Sequence, residues 1–117
     1  MSALDRAVAE LAARRAKDAA ERRARREAAS AFLKEFFDAD IEPSKALKES
    51  GVRAALNDGR MLLQRPEEGV YAEGLMIVVG EQGEIDVGGR SLGPLGAGDR
   101  EAKKKELIAE IISHFSL

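Results

Sequence analysis

The sequence lacks cysteine and tryptophan, and it has one tyrosine and one histidine among 117 residues. Without cysteine there can be no disulfide framework, no thiolate metal site and no thiol nucleophile. The longest apolar run, Leu75–Val79, is far shorter than the ~20 residues that span a bilayer. The first residues carry charges and do not form the apolar core of a signal peptide. We therefore expect a cytoplasmic protein.

Motifs for catalysis or nucleotide binding are also missing from the sequence. The single histidine, His114, excludes sites built on two histidines and has no carboxylate partner implied by spacing. Glu73 is equally isolated as a candidate acid–base group. One weak anion site can be drawn, with backbone amides at Gly89 and the charge of Arg90, although a bend at a strand end explains these glycines better. We predict no enzyme activity, no cofactor and no metal.

Residues 3–31 contain twelve alanines and neither glycine nor proline. Alanine, arginine, glutamate and leucine are the strongest helix formers. Seven pairs of opposite charge lie four residues apart, each worth ~0.2–0.5 kcal/mol in a helix. The pairs are Arg6–Glu10, Glu10–Arg14, Arg14–Asp18, Lys17–Glu21, Asp18–Arg22, Glu21–Arg25 and Arg23–Glu27. The sequence therefore predicts one helix from about Leu4 to Phe37, about 50 Å long at 1.5 Å per residue.

This helix is longer than the body that the other residues can form. About 80 residues make a globule with a radius of gyration of only ~12 Å. We therefore expect residues 1–31 to project as a charged, Ala/Arg-rich helix from a compact α+β domain formed by residues 32–117. The anchor of the helix is an apolar cluster on one helical face, made of Phe32, Leu33, Phe36 and Phe37.

The projecting helix offers two kinds of apolar contact. A heptad drawn through Leu4, Val8 and Leu11 next meets Arg15 and Asp18, so a leucine coiled coil fails. Alanines three or four residues apart instead form a stripe that would let a second helix approach closely, although each methyl buries little area. The stripe consists of Ala9, Ala13, Ala16, Ala20, Ala24 and Ala28, and it continues to Ala31. A helix that simply stays solvated is the alternative.

Charge is unevenly distributed along the chain. Residues 1–29 carry eight basic and five acidic side chains, whereas residues 30–117 carry eleven basic and sixteen acidic ones. Such a basic segment is a hint, here a weak one, of an acidic or nucleic-acid partner. The arginines concerned are Arg14, Arg15, Arg22, Arg23, Arg25 and Arg26.

The middle of the chain predicts two short helices. Ser44 can cap the first, which runs to about Ser50, and Gly51 joins it to a second over 52–57. Two short helices followed by a hairpin resemble a winged helix-turn-helix in outline, over residues 44–92. That resemblance implies a reading helix with Arg53 and Asn57, within a helix-turn-helix-like segment 44–58. The surface lacks a basic stripe, so a helical cover over a sheet is the interpretation that we favour.

The remaining residues predict a three-stranded antiparallel meander and a C-terminal covering helix. The strands are 60–65, 70–79 and 84–88, and the apolar run in the second should be covered on both faces. Gly93 to Gly98 reads as a loop, and Asp99 as the N-cap of the last helix. The core face of that helix is predicted as Leu107, Ile108, Ile111, Ile112 and Phe115.

Two functions follow from these features. The leading prediction is a non-catalytic assembly or adaptor module that binds another protein, or its own copy, through the projecting helix. The alternative is a nucleic-acid-associated protein that uses the arginines of residues 14–26. We expect no membrane association.

Overall fold

The computed structural model describes residues 2–66, 73–96 and 99–117, and its fold is α+β. The chain begins with α1, a helix of 34 residues at Ala3–Phe36, which corresponds to about 51 Å. The Ser2 side chain caps it by accepting a hydrogen bond from the Asp5 amide. A π-helical turn at Phe37–Ile41 ends the helix. The predicted long N-terminal helix is therefore confirmed, and the molecule extends 68 Å along its longest axis.

A short helix and an antiparallel sheet follow. Helix α2 spans Lys45–Glu49, and the Ser44 hydroxyl accepts a hydrogen bond from the Leu47 amide at 3.2 Å. The sheet has five strands, and their spatial order equals their order in the chain. The strands are β1 (Arg53–Asn57), β2 (Arg60–Arg65), β3 (Glu73–Val79), β4 (Glu84–Val87) and β5 (Arg90–Pro94). The prediction of three strands and two short helices was therefore wrong in detail.

The first correction concerns residues 52–57, where Arg53–Asn57 form strand β1 and no second short helix is present. The turn that follows decides the structure. Asp58 and Gly59 both have positive φ, 42° and 78°, as a two-residue type I′ hairpin turn requires. Asn57 therefore pairs with Arg60, and the pairing continues back to Arg53. The reading helix of the helix-turn-helix-like segment 44–58 does not exist in this fold.

The second correction concerns the segment after β4. Gly88 and Gly89 have φ of 57° and 86° and form another two-residue turn, so Val87 pairs with Arg90. The chain continues as β5 through Gly93 and Pro94, where the sequence predicted a loop. The rest of that predicted loop includes residues 97–98, which lie outside the described residues. Residues 70–72, the start of the predicted second strand, also lie outside them.

One face of the sheet forms the core. Alternate residues of β2, β3 and β4 point to this face and pack against α1 and the C-terminal helix α3 (Arg100–Phe115). The buried sheet residues are Met61, Leu63, Leu75, Ile77, Ile85 and Val87. The opposite face is open, because Met76 in β3 is 43% exposed. The expectation that both faces of β3 are covered was therefore wrong within the described chain.

Helix α3 covers the sheet with a narrower face than predicted. Leu107, Ile111 and Phe115 are buried, whereas Ile108 and Ile112 are 37% and 46% exposed. Asp99 precedes the helix, but its side chain makes no capping hydrogen bond. The helix is nonetheless the cover that the sequence predicted, because its three buried residues belong to the same cluster as the sheet residues.

Polar contacts fix the ends of the helices to each other. Lys104 Nζ lies 2.8 Å from Asp40 Oδ2 in the π-helical turn, and this close carboxylate raises the pKa of Lys104. Arg65 at the end of β2 donates to the carbonyl oxygens of Ser50 and Phe115, at 3.0 and 2.8 Å. Its guanidinium also lies 5.4 Å from the centre of the Phe115 ring. The ends of α2, β2 and α3 are therefore held together by one side chain.

Candidate interaction surface on the projecting helix

Among residues 2–66, 73–96 and 99–117, helix α1 contacts the body only along its C-terminal part. The first close approach is at Arg25, whose backbone packs against Gly83 in the loop between β3 and β4. Arg25 Nη2 also donates to Gln82 Oε1 at 3.3 Å. Ala29 is fully buried, and from there the buried side of the helix is continuous. All residues from 3 to 28 are exposed, so α1 extends well beyond the sheet.

The anchoring cluster named from the sequence lies at this junction. Phe32, Leu33 and Phe36 are buried in the main core, with exposures of 4%, 0% and 2%. Phe37, the fourth member, is only partly buried and packs at the edge of the same cluster. Sequence reasoning did not include Ala29, which is completely buried. A small residue at this position lets the helix backbone lie close to the sheet.

The alanine stripe lies on the opposite side of α1. All six of its members are exposed. Ala20 precedes the buried Ala29 by nine residues, which is about two and a half turns at 3.6 residues per turn. The stripe therefore faces away from the body from Ala9 to Ala24, and nothing in the described chain covers it.

A second apolar patch lies on the same side of α1 as the core contacts. Leu11 precedes Ala29 by eighteen residues, which is about five full turns, so both point in the same direction. Leu4 and Val8 lie on this side as well. The three side chains are 73%, 59% and 45% exposed for Leu4, Val8 and Leu11 respectively. We call Leu4, Val8 and Leu11 the distal patch. Its alignment with the core face of α1 becomes apparent only when the position of the body along the helix is known.

The basic residues of α1 do not form one stripe. Arg14 and Arg15 are exposed on the part of the helix that contacts nothing else. Arg22, Arg23 and Arg26 line open clefts where the helix leaves the body, but Asp58 and Glu81 at two hairpin turns line the same clefts. None of the seven ion pairs predicted along the helix closes within 4.0 Å; in the described residues, α1 forms an ion pair only from Glu35 to Arg100. These arginines are therefore available to a partner, in a setting of mixed charge.

The weak anion site at Gly89 and Arg90 has a structural explanation. Gly88 and Gly89 form the turn between β4 and β5, where both positive φ angles favour glycine. The Arg90 guanidinium is hydrogen-bonded to the carboxylate of Glu110 in α3. The positive charge of Arg90, which the anion site would require, is thus already paired with the negative charge of Glu110. In the structure, the Arg90 side chain connects β5 to α3.

The single histidine lies on the C-terminal helix α3. His114 is exposed on α3 and meets Phe115 edge-on, with 4.7 Å between the ring centres. Among residues 2–66, 73–96 and 99–117, no three histidine or carboxylate side chains come together as a metal site would require. The same residues contain no helix with the length and apolar character needed to cross a bilayer.

Comparisons with protein-family models, with curated proteins and with solved structures give no match to this chain.

Proposed function

We propose that this protein is a non-catalytic assembly module that binds another protein, or a second copy of itself, through the projecting part of α1. One observation carries the proposal: 26 consecutive residues, from 3 to 28, are exposed in a helix that continues without a break into the core. Most helical stability in proteins comes from tertiary packing of one helical face, and this part of α1 has none within the described chain. A partner that covers one side of it would supply the missing tertiary contact.

The distal patch is the stronger of the two contact surfaces on α1. Leucine and valine side chains gain ~1.5–3 kcal/mol each on full burial, whereas an alanine methyl gains less than half of that. The distal patch also lies about 20–40 Å from the body along the helix axis, at 1.5 Å per residue from Ala29. A partner helix can therefore reach it without meeting the sheet. The alanine stripe, on the opposite side, remains a second possible contact.

The proposal predicts that self-association depends on these side chains. The triple variant Leu4→Gln, Val8→Gln and Leu11→Gln keeps good helix formers but removes the apolar surface. We expect it to weaken association by about tenfold or more, because each lost apolar contact contributes ~1 kcal/mol. Sedimentation velocity over a wide concentration range measures this, with circular dichroism to confirm that the helix persists.

A matched variant separates the two surfaces. Ala9→Gln, Ala13→Gln and Ala16→Gln add the same side chains on the opposite side of the helix. If the alanine stripe forms the contact, this variant dissociates and the distal-patch variant does not. If both variants associate like the unmodified chain, α1 does not mediate self-association, and a pull-down with both variants then tests for a foreign partner.

Nucleic-acid binding is a second candidate function. The observation in its favour is that Arg22, Arg23 and Arg26 form no ion pair within the described chain, next to Arg14 and Arg15 on the free part of the helix. If these side chains contact phosphates, replacement of the arginines by glutamine removes binding, and affinity falls steeply with salt. Fluorescence anisotropy with single- and double-stranded oligonucleotides tests this. Lys45→Gln, Lys48→Gln and Lys105→Gln is the control, and no binding at low salt contradicts the candidate.

A further inference from the structure

The two edges of the sheet differ in how well they are protected. Strand β5 is the last in the order, and it contains Pro94 and an irregular register against β4. Proline and bulges are devices that prevent an edge from pairing with another strand. Strand β1, at the other edge, pairs with β2 in regular register over all five residues and contains no proline. An open edge of this kind is a template for another strand.

The backbone groups that β1 leaves unpaired can be assigned. In a hairpin with a two-residue turn, the residues next to the turn exchange two hydrogen bonds, and such pairs alternate along the ladder. Asn57, Ala55 and Arg53 therefore bond to β2. The N–H and C=O groups of Ala54 and Leu56 point away from the sheet, and none of the other backbone hydrogen bonds of the described chain involves them.

We propose that β1 is a dimerisation edge, at which two copies of this chain pair antiparallel about a twofold axis through Ala55. Ala54 of one copy then exchanges two hydrogen bonds with Leu56 of the other, and Leu56 of the first copy does the same with Ala54 of the second. The two N–H and two C=O groups that point outward at each edge are therefore all hydrogen-bonded. Ala55 faces itself at the axis as a non-hydrogen-bonded pair. The two sheets become one sheet of ten strands.

Charge favours this orientation. Arg53 stands at one end of β1 and Asp58 directly follows the other end. Antiparallel pairing places Arg53 opposite the second copy's Asn57 and next to its Asp58, at both ends of the contact. Parallel pairing would align Arg53 with Arg53. Neither Arg53 nor Asp58 has an ion-pair partner within the part of the chain that the structure describes, so both are available for the contact.

Shape favours the same register. Ala54 and Leu56 are partly buried on the core face of β1. Ala54 lines a mainly apolar groove beside the edge, together with Phe37, Ile41 and Val52, and the charged residues Glu42, Lys48 and Arg53 also line it. Residues directly opposite each other share a face of the sheet. The second copy's Leu56 therefore faces Ala54 and enters this groove, and the symmetry repeats the contact on the other side of the axis.

The decisive experiment changes Ala55, which is exposed in the monomer and faces itself in the dimer. We expect Ala55→Lys and Ala55→Glu each to raise the dimer dissociation constant by about five- to tenfold, because like charges lie directly opposite each other. An equimolar mixture of the two variants should associate as well as the unmodified chain or better. Sedimentation equilibrium measures the dissociation constant of all three samples. Ala109→Lys and Ala109→Glu, at an exposed position of α3, are the controls.

Each alternative result overturns the proposal. If the Ala55 variants associate like the Ala109 controls, the contact is elsewhere. If both variants dissociate but their mixture does not recover, the twofold register is wrong. A chain that stays monomeric at all concentrations excludes the edge contact. The distal-patch variant of α1 should leave the Ala55 results unchanged, which keeps this proposal separate from the function of the helix.

A cross-link provides a second measurement of the register. The natural chain has no cysteine. In a non-hydrogen-bonded pair the Cα atoms lie ~4.5 Å apart, within the range that a disulfide bridges. Ala55→Cys should therefore give a disulfide-linked dimer under mild oxidation. Asn57→Cys should not, because its two copies would be four residues out of register, ~13 Å apart. Equal cross-linking of both variants contradicts the register.

Discussion

Replacement of Phe36 by alanine is expected to lower the free energy of unfolding by about 3–5 kcal/mol. Phe36 is 2% exposed and belongs to the cluster in which α1, the sheet and α3 meet. The substitution loses the free energy gained by transferring a large aromatic ring from water to the core. It also leaves a cavity, which the helix backbone cannot fill because it is rigid. Since small domains have total stabilities of ~5–15 kcal/mol, this is a large fraction of the whole.

Urea denaturation followed by circular dichroism measures the effect. Leu4→Ala is the matched control, because Leu4 is on the same helix and is 73% exposed. In the monomer we expect that change to stay within ~0.5 kcal/mol. A similar cost for both variants would mean that Phe36 does not anchor the helix.

Gly83→Ala is expected to have the second-largest effect, about 2–4 kcal/mol of lost stability, from strain at positive φ together with overpacking. Gly83 has a φ of 76°, and a Cβ there would lie 2.8 Å from the backbone of Arg25. Neither partner can move easily, since one is a tight loop and the other is helix backbone. The loop would have to separate from α1.

Gly89→Ala isolates the contribution of the contact. Its φ of 86° imposes similar strain, but a Cβ at Gly89 would have no atom within 4 Å. We therefore expect only about 1–2 kcal/mol for this variant. The difference between the two free energies of unfolding, obtained from thermal or urea denaturation, measures the packing of the loop against the helix. Equal values would contradict the close approach at Arg25.

The helices could be predicted from the sequence because each has a strong and long signal. Alanine and arginine over thirty residues leave no competing structure for α1, and the capping serine defines the start of α2. The segment 52–57 is different. It is six residues long, and a short apolar run fits a helix and a strand equally well. Only the turn chemistry of Asp58 and Gly59 distinguishes the two, because a type I′ turn joins two strands.

The candidate surfaces were only partly predictable. The exposure of the alanine stripe follows from its position on a long helix. The alignment of Leu11 with Ala29, in contrast, has meaning only when it is known that the body ends near Arg25. The open edge at β1 could not be found at all while residues 52–57 were assigned to a helix. A surface between two molecules depends on tertiary placement, which local patterns do not contain.

The agreement between strand order and chain order also bears on how the protein acquires its structure. Consecutive strands are separated by two, seven, four and two residues. Each new strand therefore closes a small loop at low entropic cost, and the meander can zip up from either end. Helix α3 must instead return to α1 across more than sixty intervening residues, and it leaves the ribosome after α1 and all five strands. During synthesis, the phenylalanine-rich end of α1 therefore lacks its contacts with α3 until this sixteen-residue helix has been made.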